Sequence, residues 1–366
     1  VLHLVVPAAS GGLERVVESL AIGHHRAGHD VTVGAFMLGG QTRHPFVETL
    51  RAAGVSVEVM HSSMRGYLRE RRLARELCLK LRPDVVHTHG YRIDVVHRSM
   101  AAGLRIPSVT TVHGHDVERS WKARLYQRLQ RRNYRRFDAV VAVSTPLYRQ
   151  TLADGVPEEK LYCVPNAWGN TSTPLSRADA RRALDLHDGA TVIGWVGRLS
   201  SVKGPDVLLD ALSVMSDPKP TAVVIGYGPE EEELRAQARR LGIDGAVKWF
   251  KSVTDASRLF PAFDTFVVSS RSEGTPIVIL EAMAAQVPIV ATSVGGLPDM
   301  ISEEQGWLVP SEDAETLAQV ISESLSDRVT AKQRALAALE RLSRDFAVEP
   351  WLEAYETVYK SIGAKD

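Results

Sequence analysis

Residues 264–282 read DTFVVSSRSEGTPIVILEA. The opening segment, 264–269, is apolar and rich in β-branched residues, which predicts a buried parallel strand. The Gly-Thr-Pro turn that follows predicts a helix, because proline suits the first helical position, where its missing N–H costs nothing. The free N–H groups of such a helix lie at the carboxyl end of a strand, where open α/β sheets bind their ligands. The ligand-binding residues predicted at this turn are Gly274, Thr275, Pro276 and Ile277.

Two glutamates flank the turn. Glu273 precedes it, and Glu281 follows about one and a half helical turns later, so the two carboxylates can reach different parts of one ligand. Glu281 lies inside the otherwise apolar stretch 276–285, where an unpaired carboxylate would be costly. A chance solvated glutamate explains this position poorly. We therefore interpret both glutamates as ligand-binding residues.

The composition is that of a globular protein. The chain has 366 residues, 44% of them hydrophobic, and this length suggests two domains. No apolar stretch approaches the roughly 20 residues of a membrane span, and residues 1–6 predict a strand rather than a signal peptide. Cys78 and Cys163 offer neither a metal quartet nor a disulfide framework. A reducing cytoplasm is the simplest expectation for the compartment.

The net charge of zero hides an asymmetry. Residues 1–168 hold 24 Lys and Arg against 15 Asp and Glu, whereas the remainder holds 20 against 29. The basic excess is greatest from Arg119 to Arg136, a segment with eight basic residues and no acid. This segment predicts either a solvated helix that covers its own domain core or a basic amphipathic helix on an anionic membrane surface. A nucleic-acid partner is disfavoured, because the segment carries no known reading motif.

Short β-branched segments alternate with helical patterns along the chain, which is typical of parallel βαβ units. The sequence therefore predicts an α/β protein with two doubly wound, Rossmann-like domains. Residues 166–175 are rich in Asn, Gly, Thr and Pro and are interpreted as the linker. We expect a first domain over residues 1–168, a second over residues 169–345, and the ligand cleft between them.

The last segment, residues 346–366, follows the second domain. Its aromatic residues Trp351, Tyr355 and Tyr359 fall on one face of a predicted helix, and such a face needs a surface to cover. We expect this helix to pack back onto the first domain.

Another predicted strand end carries two cations. The segment from Gly197 to Pro205 reads GRLSSVKGP and leads into a predicted helix. We interpret Arg198 and Lys203 as a phosphate clamp, since a guanidinium acts as a fork and an ammonium as a point charge. The alternative is that both cations pair with surface carboxylates.

Glycine turns end two further predicted strands. Gly11 and Gly12 lead from the first strand into a helix and let the backbone approach a ligand closely. They do not form the GxGxxG fingerprint, so nicotinamide binding gains little support. Gly226 and Gly228 flank Tyr227 ahead of an acidic helix start, where they could abut a nucleobase.

A histidine cluster follows the predicted strand 108–113. The sequence His113-Gly114-His115-Asp116 invites a metal interpretation, but two histidines without a third ligand are too few for a closed site. We expect His113 to be a hydrogen-bonding group at the cleft. His87 and His89 are expected to be ordinary strand and loop residues.

In chain order, these elements resemble the retaining glycosyltransferases of family 4, which have the GT-B fold. The resemblance covers nearly the whole chain, and its specific parts are the Glu-x7-Glu element and the Arg…Lys-Gly loop. It implies two facing Rossmann-like domains and a C-terminal helix that crosses back. It also implies that the second domain binds a nucleotide-sugar donor and that the first binds an acceptor.

The same resemblance implies a role for each polar residue. Arg198 and Lys203 would contact the diphosphate, Glu273 the hydroxyls of the transferred sugar, and Glu281 the ribose. No Asp-x-Asp pair occurs in the chain, so the usual element that holds a metal on a nucleotide diphosphate is absent. We therefore expect no metal and no other cofactor, with cations and backbone N–H groups neutralising the leaving group.

The remaining implied contacts involve the backbone and one ring. Residues 274–277 would meet the sugar and phosphate, Gly12 would lie near the phosphates, and His113 would touch the sugar from the opposite wall. One departure is the segment 164–168, where the family often has Asn-Gly, and we expect the hinge to differ in detail there.

The implied activity is transfer of a sugar, with retention, from a nucleotide-diphosphate sugar to a hydroxyl acceptor. The expected donor is a UDP-sugar, and the acceptor is a glycan, a glycolipid or a small molecule. The leaving phosphate would take the acceptor proton on the same face of the sugar, so Glu273 is not expected to be a covalent nucleophile. The alternatives are a nucleotide-sugar epimerase of the GT-B type and a non-catalytic nucleotide-sugar-binding module.

Overall fold

The structure is a computed structural model. It describes residues 1–8, 11–38, 43–63, 66–114, 121–169, 173–187, 189–251, 253 and 255–363, with the backbone alone for residues 98–99 and 121–127. The chain divides into two compact units. Unit 1 comprises Val1–Ala167 and Val348–Asp366, and unit 2 comprises Trp168–Ala347.

Unit 1 is built on a seven-stranded parallel sheet. Its strands are β1 (Leu2–Val5), β2 (Thr32–Leu38), β3 (Ser56–Ser62), β4 (Val86–His89), β5 (Ser108–Val112), β6 (Ala139–Ala142) and β7 (Leu161–Cys163). The strand order is β3-β2-β1-β4-β5-β6-β7. Chain order therefore reverses direction between β1 and β4, which is where doubly wound sheets open a ligand-binding crevice.

Helices cover both faces of this sheet. The helices are α1 (Gly12–Arg26), α2 (Pro45–Ala52), α3 (Tyr67–Leu81), α4 (Tyr91–Leu104), α5 (Trp121–Tyr134) and α6 (Thr145–Ala153). Successive side chains of a strand point to opposite faces, and β1 shows the result. Leu4 belongs to one core with Leu77 of α3, whereas Val5 belongs to another with Val17 of α1.

Unit 2 is built on a six-stranded parallel sheet of order β10-β9-β8-β11-β12-β13. Its strands are β8 (Val192–Val196), β9 (Thr221–Ile225), β10 (Val247–Phe250), β11 (Thr265–Val268), β12 (Ile289–Thr292) and β13 (Trp307–Val309). Its helices are α7 (Arg177–Ala183), α8 (Pro205–Val214), α9 (Glu231–Arg240), α10 (Ile277–Ala284), α11 (Leu297–Met300), α12 (Ala314–Ser326) and α13 (Arg328–Asp345). The reversal point of this sheet lies between β8 and β11.

Alternation along β8 again separates two cores. Val192 belongs to the core that contains Ile279 of α10, and Ile193 belongs to the core that contains Leu208 of α8. Two layers of helices thus sandwich the sheet, as burial of both faces of a parallel sheet requires. The predicted fold class of two doubly wound parallel sheets is confirmed.

The last helix, α14 (Val348–Ser361), belongs to unit 1. It buries Trp351, Tyr355 and Tyr359, and its backbone carbonyl at Leu352 lies 3.5 Å from the Nε2 atom of His24 in α1. Among the described residues, no helix is both long and apolar enough to cross a membrane.

The start of α10 differs from the prediction by one residue. Pro276 is the N-cap, with extended backbone angles of φ −69° and ψ 123°, and the helix begins at Ile277. The chain thus turns at the proline itself, and the first helical N–H groups, which have no intrahelical partner, follow it.

Candidate active site

The reversal point of the unit 2 sheet brings together the loops that follow β8 and β11. There the Lys203 ammonium lies 2.7 Å from both carboxylate oxygens of Glu273. The Ser270 hydroxyl donates a hydrogen bond of 2.7 Å to Oε1 of the same carboxylate. The side chain of Glu273 is only 5% exposed, whereas that of Lys203 is 34% exposed. The lysine predicted for the phosphate and the glutamate predicted for the sugar therefore form one ion pair.

Glycine packing fixes the backbone at Glu273. Gly296 donates its N–H to the Glu273 carbonyl at 3.2 Å. Gly295 has a φ of +54°, and a Cβ atom there would lie 1.9 Å from the same carbonyl oxygen. Only glycine fits this position without a shift of the backbone, so the loop after β12 holds Glu273 in place.

Arg271 ties the two loops together. Its backbone N–H donates to the Val202 carbonyl at 2.8 Å, and its guanidinium binds both carboxylate oxygens of Asp206 at 2.9 and 2.7 Å. A further bond of 3.0 Å reaches Glu312. Sequence analysis missed this residue, because its partners lie far from it in the chain. Its position next to the predicted Ser-Glu-Gly-Thr-Pro turn is the one signal that points to it.

The predicted glycine loops after β8 and β9 run side by side. The Leu199 N–H donates to the Tyr227 carbonyl at 3.0 Å. A Cβ atom at Gly226 would lie 1.8 Å from the carbonyl oxygen of Gly197, and one at Gly228 would lie 2.1 Å from that of Leu199. These glycines therefore allow two loops to pack closely, and a ligand contact for them stays a prediction.

Arg198 lies on the first of these loops, and its side chain is exposed. A 3₁₀ turn, Ser201–Lys203, separates it from α8. Gly204 then adopts a left-handed conformation, with φ +62°, and a Cβ atom there would lie 2.0 Å from the Ser269 carbonyl oxygen. This close approach brings the start of α8 against the end of β11, so both predicted cations lie at one edge of the sheet.

The start of α10 lies at the same edge. Gly274, Thr275 and Pro276 are buried there, and Ile277 is half-buried. Glu281 lies in the body of the helix and is 7% exposed. Its carboxylate therefore belongs to the interior of unit 2, and its predicted contact with a ribose stays a prediction.

In unit 1 the predicted residues lie at the carboxyl edge of the seven-stranded sheet. Gly11 and Gly12 are exposed at the start of α1, after β1. The Glu14 carboxylate accepts the Ala8 N–H at 2.7 Å across this turn. The turn is thus formed by residues on both sides of it, and it lies at the reversal point of the unit 1 sheet.

His113 follows β5 at the same edge and is half-buried. Its Nε2 atom lies 3.3 Å from Nδ1 of His89. Burial lowers the pKa of His113 to about 4, so the ring is neutral at pH 7 and can donate only one hydrogen bond. His115 and Asp116, the other members of the predicted cluster, lie outside the described residues.

Sequence analysis also missed a histidine layer beneath α14. His3, His87 and His89 are fully buried, and each offers one ring nitrogen within 4.8 Å of the others. His87 bonds at 2.8 Å to both the Tyr359 hydroxyl and the Thr111 hydroxyl. The alternation of His87 and His89 on one strand face is the signal that could have revealed this layer.

The basic segment from Arg119 to Arg136 largely coincides with α5. Arg135 donates to the backbone carbonyl of Asp154 at 2.8 Å, and the Arg131 guanidinium lies 3.5 Å from the Asp154 carboxylate. Two of the basic residues thus have partners within unit 1. Contact with an anionic membrane stays a prediction.

Two family models match the chain. Residues 10–167 match Glycosyltransferase Family 4, and residues 176–341 match Glycosyl transferases group 1. Together they span most of both units.

The chain is also similar to individual proteins. The lipopolysaccharide core biosynthesis mannosyltransferase LpsB of Rhizobium meliloti is 28% identical over 244 residues, which cover 62% of this chain and 67% of that protein. The D-inositol 3-phosphate glycosyltransferase of Saccharomonospora viridis is 33% identical over 210 residues, or 54% of this chain, and the match spans about half of that protein, 48%. In fold, the chain resembles Anabaena HepE in complex with UDP-glucose, with a TM-score of 0.87 and 24% identity over 98% of this chain and 99% of that one.

Proposed function

The chain belongs to the glycosyltransferases of family 4 with the GT-B fold, and from this premise we propose that it transfers a sugar from a UDP-sugar to a hydroxyl acceptor with retention of configuration. The observation that carries the proposal is the Lys203–Glu273 ion pair at the reversal point of unit 2. A nucleotide-sugar carries an anionic diphosphate beside neutral sugar hydroxyls. A cation at that place can bind the diphosphate, and a carboxylate can accept hydrogen bonds from the hydroxyls.

We assign the diphosphate to the cations. Arg198 is exposed and the Lys203 ammonium is partly exposed, so both can reach a ligand without opening the core. The first N–H groups of α8 and α10 add partial positive charge at the same sheet edge. A UDP-sugar was bound by the structurally similar HepE, which supports UDP as the nucleotide.

We assign the sugar and the ribose to the two glutamates. Glu273 is held by Lys203 and Ser270, and these bonds fix its carboxylate in the orientation that accepts sugar hydroxyls. Glu281 is held inside unit 2 and is assigned to the ribose hydroxyls. Both carboxylates act in donor recognition, and neither acts as a nucleophile.

The reaction breaks the bond between the anomeric carbon and the diphosphate oxygen. The acceptor oxygen forms a bond to the same face of that carbon, and its proton passes to the departing diphosphate. Negative charge grows on the leaving oxygen in the transition state, so preorganised cations and N–H groups are most effective there. Arg198 and Lys203 supply that charge, and no metal ion is assigned to the step.

The donor is identified first. Thermal stabilisation is measured with UDP-glucose, UDP-galactose, UDP-N-acetylglucosamine and GDP-mannose, each with and without EDTA. The donor that stabilises the protein is then incubated without an acceptor, and proton NMR follows its slow hydrolysis. Release of the α-anomer from an α-linked donor, unaffected by EDTA, is the expected result. Initial release of the β-anomer would contradict retention, and loss of activity with EDTA would contradict a metal-independent reaction.

Two lysines provide a matched test of the site. Lys203 and Lys248 are 34% and 35% exposed, and both pair with a carboxylate, but Lys248 lies on the edge strand β10. We expect Lys203→Met to lower kcat by about a hundred-fold or more and Lys248→Met to leave it unchanged. Equal activity of the two variants would contradict the assignment of Lys203.

The acceptor and the two alternatives are decided by product analysis. We propose that the acceptor is a hydroxyl of a glycan, a glycolipid or a small molecule, as the names of LpsB and of the inositol phosphate enzyme suggest. UDP release that depends on an added acceptor indicates transfer. Conversion of one UDP-sugar into another would indicate an epimerase, and binding without turnover would indicate a binding module.

A further inference from the structure

A line of three histidines crosses the unit 1 sheet towards its carboxyl edge. Nδ1 of His3 in β1 lies 3.1 Å from Nε2 of His89 in β4, and Nδ1 of His89 lies 3.3 Å from Nε2 of His113. The sheet register places His89 beside Thr111 in β5, two residues before His113. The side chains therefore follow one sheet face from the interior of unit 1 to the carboxyl edge of its sheet.

All three rings are neutral at pH 7. Burial lowers the pKa of His3 and His89 well below the usual value and lowers that of His113 to about 4. A neutral imidazole has one N–H and one lone pair. Each hydrogen bond between two rings needs one N–H and one lone pair. The two bonds must therefore be donated in the same direction, either from His113 through His89 to His3 or from His3 through His89 to His113.

The end of the line selects between these two directions. Nε2 of His3 is buried and has no hydrogen-bond partner among the described residues. If the bonds ran from His113 to His3, this atom would carry a hydrogen, and a buried N–H donor without an acceptor is rare and costly. If they run from His3 to His113, the atom holds a lone pair. The second direction therefore has the lower free energy.

We propose that His3 and His89 are positioning residues that hold His113 in its Nδ1–H tautomer, so that the ring offers a fixed N–H donor to a hydroxyl of the transferred sugar. No described residue bonds to Nδ1 of His113. The sugar contact of His113 is the one that the family resemblance implies and rests on the proposed function, whereas the tautomer itself is a property of unit 1. A free neutral imidazole favours the Nε2–H tautomer, so the line of histidines reverses that preference.

A metal ion is the competing explanation for three clustered histidines. The three histidines with ring nitrogens close enough to share a metal ion are His3, His87 and His89. Such an ion would therefore have to bind a ring nitrogen of His87. Both nitrogens of His87 already bond at 2.8 Å to the hydroxyls of Thr111 and Tyr359. Each ring nitrogen of this layer except Nε2 of His3 thus has a hydrogen-bond partner, which favours the hydrogen-bonded arrangement.

The tautomer is measured directly in the intact protein. Protein labelled with ¹⁵N-histidine is studied at pH 7.5 by long-range ¹H–¹⁵N NMR, without substrate. Hydrogens on Nδ1 of His113 and Nδ1 of His89 are the expected result. A hydrogen on Nε2 of His113 would overturn the proposal, and so would one equivalent of tightly bound zinc that shifts the three rings of the cluster together.

Two substitutions of His89 then separate positioning from packing. The ionised carboxylate of His89→Asp can only accept from His113, which moves the ring hydrogen to Nε2, whereas the amide of His89→Asn can still donate. We expect the aspartate variant to lower kcat/KM for the UDP-sugar by about 10- to 100-fold with an unchanged Kd for UDP, which lacks the sugar. The asparagine variant should recover most of the loss. Equal losses in the two variants, or none in either, would overturn the proposal.

A matched control lies outside the line. His97 is also fully buried in unit 1, and no described residue bonds to its ring nitrogens. His97→Asn should change stability without changing the tautomer of His113. If the aspartate variant does not fold, the wild-type NMR measurement still decides the tautomer. If the protein transfers no sugar at all, the proposed function fails while that measurement stands.

Discussion

The Lys203 ammonium contacts both carboxylate oxygens of Glu273 at 2.7 Å. These residues lie 70 positions apart in the chain, and the reversal of strand order between β8 and β11 makes them neighbours. A nearly buried carboxylate and a partly exposed ammonium neutralise each other. A donor diphosphate would therefore compete with Glu273 for the lysine. The effect of substituting one of the two residues on stability should also depend on whether the other is present.

A double-mutant cycle measures this coupling. Lys203→Met should lower the free energy of unfolding by about 1–3 kcal/mol, because it leaves the buried Glu273 carboxylate with Ser270 alone. In a Glu273→Gln background the same change should cost almost nothing. Urea denaturation of the four proteins gives the coupling energy. Additive effects would show that the ion pair contributes no stability.

The glycine beside Glu273 gives a second prediction. Gly295→Ala places a methyl group 1.9 Å from the Glu273 carbonyl oxygen, in a left-handed conformation, and should cost about 1–3 kcal/mol of stability. The loop must shift, so UDP-sugar turnover should fall as well. Gly245→Ala is the control, since a Cβ atom there meets nothing within 4 Å. Isothermal titration with UDP, urea denaturation and initial rates are compared for the two variants, and matching behaviour would contradict the expected crowding.

The contact between α14 and the sheet gives a third prediction. Tyr359→Phe removes the hydroxyl that lies 2.8 Å from Nδ1 of the buried His87 and should cost about 1–3 kcal/mol. Tyr162→Phe removes a hydroxyl that bonds at the same distance to Ser361 on the surface, and its cost should be near zero. Urea denaturation of both variants tests the difference. Equal costs would mean that burial does not strengthen the Tyr359 bond.

Acidification gives a fourth prediction. Burial lowers the pKa of seven histidines in unit 1, namely His3, His24, His44, His87, His89, His97 and His113. Unfolding lets these rings bind protons below their unfolded pKa of about 6.5, so their contribution is complete above that pH and is lost as the pH falls towards 4. Three acids whose pKa is raised by desolvation oppose the trend, namely Glu14, Glu18 and Asp94.

Because the histidines outnumber those acids, unit 1 should be less stable at pH 5 than at pH 7.5. Hydrogen exchange with mass spectrometry follows each unit separately in the intact protein. After correction for the pH dependence of the intrinsic exchange rate, the protection of β1 and β4 should be lower at pH 5 than at pH 7.5. The protection of β8 and β11 should change less. An equal loss of protection in both units would mean that groups other than the unit 1 histidines cause the response to acid.

Strands were the most predictable elements, because apolar β-branched runs bounded by turn residues are local signals. The strand predicted over residues 108–113 is β5, Ser108–Val112, and the strand predicted over residues 264–269 is β11, Thr265–Val268. The helices α2 and α4 were missed: α2 has only 8 residues, and the apolar pattern of α4 is interrupted by polar residues. Pro276 shows why the exact start of a helix is hard to predict. Its ring fits both the first helical position and the N-cap, and only the backbone angles of the structure distinguish the two.

The partners of the site residues could not be predicted. Arg198, Lys203 and Glu273 were singled out because each follows a strand, and that placement at one sheet edge is what the structure shows. Their pairing depends on the order of strands in the sheet, which no local pattern encodes. The histidine line is the extreme case, because His3, His89 and His113 come from three separate strand segments and only the sheet register aligns them.

The placement of α14 sets the order in which the protein can be completed during synthesis. Unit 2 occupies the chain between β7 and α14, so a ribosome synthesises all of it before it synthesises the helix that covers His87. At roughly 5–20 residues per second, this interval lasts roughly 10–40 s. For that time His87 lacks the Tyr359 hydroxyl, which lies 2.8 Å from its Nδ1 atom in the folded unit.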